Sequence, residues 1–182
     1  MNYLKLTLSS VLQYFSDTDS IALRTNYNTS LYPTKRAIVG MIASAFGYER
    51  KDPRSKELFD SIDVKYNMIN EPIVLNEFQT IRPLKSQKNY MNKYNKRNKF
   101  QTIDGSFQEN RQLTKNIQFL QDAEFEVFIG GSDKLLKEIY DALRNPKYAL
   151  FIGKRSCVPT KPLVTEFNLI KKEELKNVHD CA

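Results

Sequence analysis

The sequence predicts an α+β fold, with elements in the order strand, helix, strand, strand, helix, strand and a basic hairpin inserted late. Three observations carry this. Apolar residues recur at period two in several stretches and at helical spacing in two others. In addition, nine of the 28 Lys and Arg residues lie in one segment, 82–115, which holds only two of the 21 Asp and Glu residues. The 19 bases and 19 acids left over cancel, so the whole net charge of +7 resides in that segment. A neutral body with one cationic segment is an arrangement aimed at a polyanion.

Tyr3 to Leu8 alternates, with Leu4, Leu6 and Leu8 on one face and Tyr3, Lys5 and Thr7 on the other, and predicts the first strand. Ser10 to Thr34 is rich in Ser, Thr, Asn and Asp and reads as a long loop, too polar for a core. Thr34 to Phe46 reads as a helix with Thr34 as N-cap, Gly47 as stop and an apolar stripe of Ala37, Ile38, Met41, Ile42 and Ala45, Gly40 allowing close packing. Lys35 and Arg36 break a rule there, because the first turn of a helix is already electropositive. Two readings stand: a phosphate site at the helix start, or two side chains pointing into water.

Ile62 to Met68 alternates again, with Ile62, Val64, Tyr66 and Met68 expected inward, and Ile73 to Ile81 reads as a strand leading into the basic segment. Beyond it, Phe119 to Ile129 sets Phe125, Val127 and Ile129 against Glu124 and Glu126. Asp133 to Arg144 reads as a second helix, with its acid first and its base last, stopped by Asn145-Pro146. Tyr148 to Ile152 reads as a last short strand, followed by GKRSCVPTKP. This order is that of a ferredoxin-like (RRM-like) palm in a single domain, 1–182, with an inserted thumb at 82–118 and a short C-terminal tail at 164–182.

The thumb interleaves Tyr90, Tyr94, Phe100 and Phe107 with its cations, the combination that grips single-stranded nucleic acid, phosphates on cations and bases on rings. A solvated lysine-rich loop, or a basic hairpin docking on an acidic protein, is the competing reading. Gly153-Lys154-Arg155 fails the Walker pattern, which needs glycine at Tyr148 and Ser or Thr at Arg155, yet a glycine followed by two cations remains a phosphate contact or a plain turn. Asp17 and Asp19 lack a third ligand nearby, and Cys157, His179, Asp180 and Cys181 lack zinc spacing, so no metal and no cofactor is expected. The two cysteines predict reduced thiols, and the single histidine, His179, lies in a tail expected to fray. The start lacks the pattern of a signal peptide and no apolar run is long enough for a span, which predicts a cytoplasmic protein without a membrane.

Tyr32 to Asp52 (YPTKRAIVGMIASAFGYERKD) and Tyr148 to Leu163 (YALFIGKRSCVPTKPL), with Leu12-Gln13 and Arg24, resemble the CasD family, the "Cas five" subunit of the RNA-guided Cascade complex of type I CRISPR systems, most closely that of type I-E. The resemblance implies a ferredoxin-like palm with an inserted thumb, and a non-catalytic subunit that caps the complex and holds the repeat-derived 5′ handle of the CRISPR RNA. It implies handle-facing positions at Gln13, Arg24, Thr34, Lys35, Arg36, Gly153, Lys154 and Arg155. The thumb residues Arg82, Lys88, Tyr90, Lys93, Tyr94, Lys96, Arg97 and Lys99 would lie where handle meets guide. Implied partners are the CRISPR RNA, the Cascade backbone and large subunits and, through the complex, target DNA.

Tyr14-Phe15-Ser16 departs from the small residue, Trp and Gly that often follow Leu-Gln in this family, and only 19 residues follow Leu163, which implies a reduced C-terminal contact surface. Two alternatives stay open. One is a metal-independent endoribonuclease acting on precursor CRISPR RNA, which in type I-C relatives uses Tyr, Lys and His. The other is a basic module that docks on protein.

Overall fold

The computed structural model describes residues 1–16, 26–81, 113–175 and 178–181. Its strands are β1 (Asn2–Ser9), β2 (Leu12–Gln13), β3 (Asn26–Tyr27), β4 (Asp63–Asn70), β5 (Ile73–Ile81), β6 (Leu113–Gln121), β7 (Glu124–Gly131), β8 (Leu169–Lys171) and β9 (His179–Asp180). Its helices are α1 (Lys35–Phe46), α2 (Arg54–Ser61) and α3 (Asp133–Arg144). The fold is mixed α/β, built on two sheets that are antiparallel except for the short parallel pair of β3 with β6.

The first sheet runs β8-β1-β7-β4-β9, every neighbouring pair antiparallel. Leu4, Leu6 and Leu8 of β1 and Phe125, Val127 and Ile129 of β7 are fully buried on one face, together with Ile38 and Ile42 of α1 and Leu136 and Ile139 of α3. The period-two and period-3.6 patterns thus meet in one core, where each such side chain contributes roughly 1.5–3 kcal/mol. The cap and stop expected of α1 form, Thr34 accepting from the Ala37 amide and Gly47 closing the helix at φ 77°, and Ser132 caps α3 by accepting from the Leu135 amide.

The second sheet is set by a bend. β4 pairs with β7 down to Asn70↔Glu124, after a register shift between Met68 and Asn70. Past the bend, β5 pairs with β6 from Ile73↔Gln121 to Ile81↔Leu113. One antiparallel ribbon therefore runs through both sheets and delivers the chain to the basic segment. Because β5 occupies one edge of β6 along its length, β2 and β3 take the other edge, at Leu120–Gln121 and Asn116–Ile117. The corner is bracketed by Asp122, at φ 54°, whose amide donates to the Val11 carbonyl and whose own carbonyl accepts from Asn70 Nδ2.

Several expectations are corrected. The polar stretch 10–34 contributes β2, β3 and core: Phe15 is 1% exposed and meets Phe125 edge-on at 6.0 Å, because a few aromatic residues suffice to pull an otherwise polar loop inward. Gly40 faces open space on α1 and serves no close packing. Met68 is exposed, since β4 has reached the bend by then. Tyr148 to Ile152 is not a strand; the place beside β1 is taken by β8, from the segment read as a tail. Helix α2 was not anticipated. Nor does the end fray at His179: β9 lies on β4, with the Cys181 amide donating to the Val64 carbonyl.

Strand β9 is pinned by an ion pair between Lys65 and Asp180, while Lys65 also lies near Asp63. Lys65 holds the Asp180 carboxyl below its usual range, so this contribution is complete at neutral pH and is lost as pH falls through the lowered value. Both cysteines are free thiols. Burial, followed by the charge of Asp180, pushes the Cys181 thiol up to about 12. Alkylation of Cys181 by iodoacetamide at pH 8 is therefore expected to be on the order of a thousandfold slower than that of an unperturbed thiol. Asp180→Asn should speed it by freeing β9, and an unchanged rate in that variant would show that the pair does not hold the strand.

Candidate nucleic-acid interface

Residues 152–157 form a closed turn over the second sheet. The Ile152 amide donates to the Cys157 carbonyl, the Cys157 amide to the Lys154 carbonyl, and the Tyr14 amide to the Ile152 carbonyl. The exit is tied to β1: the Thr160 amide donates to the Ser9 carbonyl and Ser10 Oγ to the Val158 carbonyl. Gly153 sits at φ 94°, and a Cβ there would lie 1.7 Å from the Tyr14 carbonyl oxygen. The glycine is therefore required by backbone packing alone.

That close approach lowers Lys154 onto an aromatic floor. Its ammonium lies 3.9 Å from the ring centroid of Tyr14, 5.0 Å from that of Tyr27 and 5.2 Å from that of Phe119. These rings come from three separate segments, gathered because β3 and the chain after β2 both border β6. Burial pulls the Lys154 pKa below the usual lysine range, with Lys115 adding to the shift and Cys157 and Glu77 opposing it. Lys115, two residues before buried Ile117 and four before Phe119, lies 5.5 Å from the Tyr27 centroid. Neither lysine makes an ion pair among the described residues.

The start of α1 is a second cationic place with different neighbours. Lys35 lies over the Phe59 ring of α2 at 4.5 Å, which offsets part of its conflict with the helix dipole. Arg36 is exposed, and no described carboxylate pairs with it. Just before the helix, Tyr32 stacks on Tyr66 at 5.3 Å, and the His179 ring also lies against Tyr66, at 5.5 Å.

Of the residues expected at a site, Lys154 and Gly153 are brought together with aromatic groups, and Arg155 is exposed beside them. Thr34 is engaged as the cap. Gln13 is corrected in role: it is fully buried, and its Nε2 donates to the Ala123 carbonyl at 2.7 Å, so it braces the corner between the sheets and presents no surface. Its Oε1 is buried without a partner among the described residues. Arg24, Asp17 and Asp19, together with Arg82, Lys88, Tyr90, Lys93, Tyr94, Lys96, Arg97 and Lys99, lie outside the described residues. Sequence reasoning missed Tyr14, Tyr27 and Phe119 as a floor and used Lys115 only as charge. The alternation of Lys115, Ile117 and Phe119 along β6 was the one available signal. Among the described residues no cluster of His, Cys, Asp and Glu can hold a metal, and no helix is long and apolar enough to cross a membrane.

A mixed α/β fold with cations seated on aromatic rings, at the base of a ribbon that leads to a basic segment, is an arrangement of the class suited to a polyanion. Residues 3–180 match the family described as CRISPR-associated protein (Cas_Cas5), and the chain belongs to that family. Among solved structures it is similar to a chain of a "CRISPR RNA-guided surveillance complex", at 23% identity and a TM-score of 0.70, covering 89% of this chain and 61% of that one. It is also similar to a chain of a "Crystal structure of Cas protein", at 22% identity and a TM-score of 0.60, covering 93% and 65%. The chain thus spans less than two thirds of the length of either. No curated protein matches it.

Gly153→Ala is expected to cost more than about 1 kcal/mol in denaturant unfolding, because the new Cβ meets backbone and the φ is strained. Between its lowered value and the ordinary lysine value, the unfolded chain keeps the Lys154 proton that the folded chain has released, so this group makes stability rise with pH across that window. Lys154→Met should remove that rise. An identical alkaline stability profile in Lys154→Met and wild type would mean that the ammonium is not desolvated.

Proposed function

We propose that the chain is a CRISPR RNA-binding subunit of a type I Cascade surveillance complex, of the I-E-like CasD kind, which holds the repeat-derived 5′ handle of the guide and caps one end of the complex. Membership of the CRISPR-associated protein family and likeness in fold to a chain of an RNA-guided surveillance complex support a place in such an assembly. The observation that carries the RNA reading is the seat of Lys154 on Tyr14, Tyr27 and Phe119, with Lys115 at the same ring. Ammonium groups beside aromatic faces suit an unpaired strand, whose phosphates and bases alternate at short spacing.

We read the strand order β8-β1-β7-β4, with α1 after β1 and α3 after β7, as the ferredoxin-like palm. The β5–β6 pair would be the stem of the thumb, carrying its basic segment toward the neighbouring backbone subunit. Lys35 and Arg36 at the start of α1, together with Arg155, would extend the phosphate contacts. In this reading the subunit binds and does not cut. His179 sits against Tyr66 on β9, whereas Lys154 sits over Tyr14, so histidine and lysine have different neighbours instead of converging on one bond.

Recovery of the tagged chain from cells expressing its partner subunits, followed by sequencing of the bound nucleic acid, should return CRISPR RNAs sharing one repeat-derived 5′ segment. Absence of CRISPR RNA in the presence of those partners would contradict the proposal. Incubation of the purified chain with repeat RNA in EDTA should leave the RNA intact, and site-specific cleavage that tracks with Lys154 would favour the endoribonuclease.

A further inference from the structure

Lys115 and Lys154 come from segments 39 residues apart, yet both ammonium groups address the ring of Tyr27, at 5.5 and 5.0 Å. Like charges at one ring repel, and burial first, with the charge of Lys115 adding a smaller part, pulls the Lys154 pKa below the usual lysine range. Neither lysine has an ion-pair partner among the described residues. Glu77 acts on Lys154 without pairing with it, and its carboxylate accepts from Gln79 Nε2 at 2.9 Å. Two cations at one ring, neither ion-paired among the described residues and one of them half-buried, are stabilised together by a single anion that bridges them.

We propose that Lys115 and Lys154 grip one phosphodiester of an unpaired RNA strand, with Tyr27 receiving the adjoining base. The proposal rests on the RNA-binding reading and adds the subsite and the residues that make it. It is built from parts that constrain one another. Gly153 lets the turn approach Tyr14, the turn sets Lys154 on the rings, and the parallel pairing of β3 with β6, Tyr27↔Ile117, fixes Tyr27 two residues along β6 from Lys115. An acidic protein surface offers carboxylates but no planar base for the ring, which makes RNA the better-matched occupant.

The test is fluorescence anisotropy of a labelled eight-nucleotide single strand from the repeat-derived handle, titrated with the full chain at several salt concentrations. Lys115→Gln and Lys154→Met should each weaken binding about tenfold, since a charge-assisted contact is lost. The double variant should weaken it by less than the product of the two factors, because both lysines hold the same group. Its salt slope should fall by about 0.7, the value for one phosphate on a single strand, and not by twice that. Tyr27→Leu should weaken binding about tenfold with no change in slope.

Lys134→Gln on α3 serves as the charge control and should leave both quantities unchanged. Each variant's thermal unfolding is measured first; should Lys154→Met unfold, Lys154→Gln takes its place with the same expected losses. If the wild-type chain fails to bind the strand at all, the RNA-binding reading itself fails. Wild-type binding with unchanged affinity and slope in both lysine variants would sink the subsite alone, as would strictly multiplicative losses. Displacement of the strand by polyglutamate as effectively as by unlabelled RNA would assign the lysines to an acidic protein and overturn the proposal.

Discussion

Everything at the candidate interface depends on one strand, β6, being paired along both edges. Its pairing with β5 makes the ribbon that leaves the first sheet, and its other edge recruits β2 and β3. Without β5 the basic segment would have no stem. Without β2 and β3, Tyr14 and Tyr27 would not reach Phe119, and the lysine would have no floor. Backbone hydrogen bonds, individually worth only about 0.5–1.5 kcal/mol, thus decide where the chemistry-bearing side chains meet.

The seat of Lys154 balances two opposed terms. Removing an ammonium from water is unfavourable and shows as a lowered affinity for its proton. Three ring faces compensate, each cation–π contact being worth about 0.5–1 kcal/mol when exposed and about 2 or more when desolvated. Lys35 over Phe59 repeats the device at the start of α1, and Lys137 of α3 lies over both Tyr140 and Phe167, so a ring beneath a cation is not by itself a binding site. What distinguishes Lys154 is convergence. Three rings and a second lysine surround it, and its turn is locked by a glycine that no other residue replaces without a backbone clash.

Much of the frame was legible because its physics is local. Leu4, Leu6 and Leu8 announce a half-buried strand, Thr34 and Gly47 bracket a helix, and Ile73 to Ile81 points into the basic segment. The misses arise where the deciding contact is distant in sequence. Phe15 sits in a polar stretch and is buried only because Phe125 awaits it; Tyr148 to Ile152 has the apolar character of a strand, but β8 occupies the edge beside β1. At the site, Gly153-Lys154 was visible as a motif. Its meaning was not, because Tyr14, Tyr27 and Phe119 approach from positions that no spacing rule connects, and Gln13 looked like a surface residue until the corner it braces was seen.

On the proposed reading, the guide's 5′ end runs across the aromatic floor of the second sheet. Ultraviolet cross-linking of the assembled RNA-containing complex, followed by mass spectrometry of the nucleotide-bearing peptides of this chain, addresses it directly. The account predicts adducts on peptides containing Tyr27, Lys115 or Lys154. Adducts confined to other surfaces, such as the exposed face of α3, with those three peptides recovered unmodified, would contradict it.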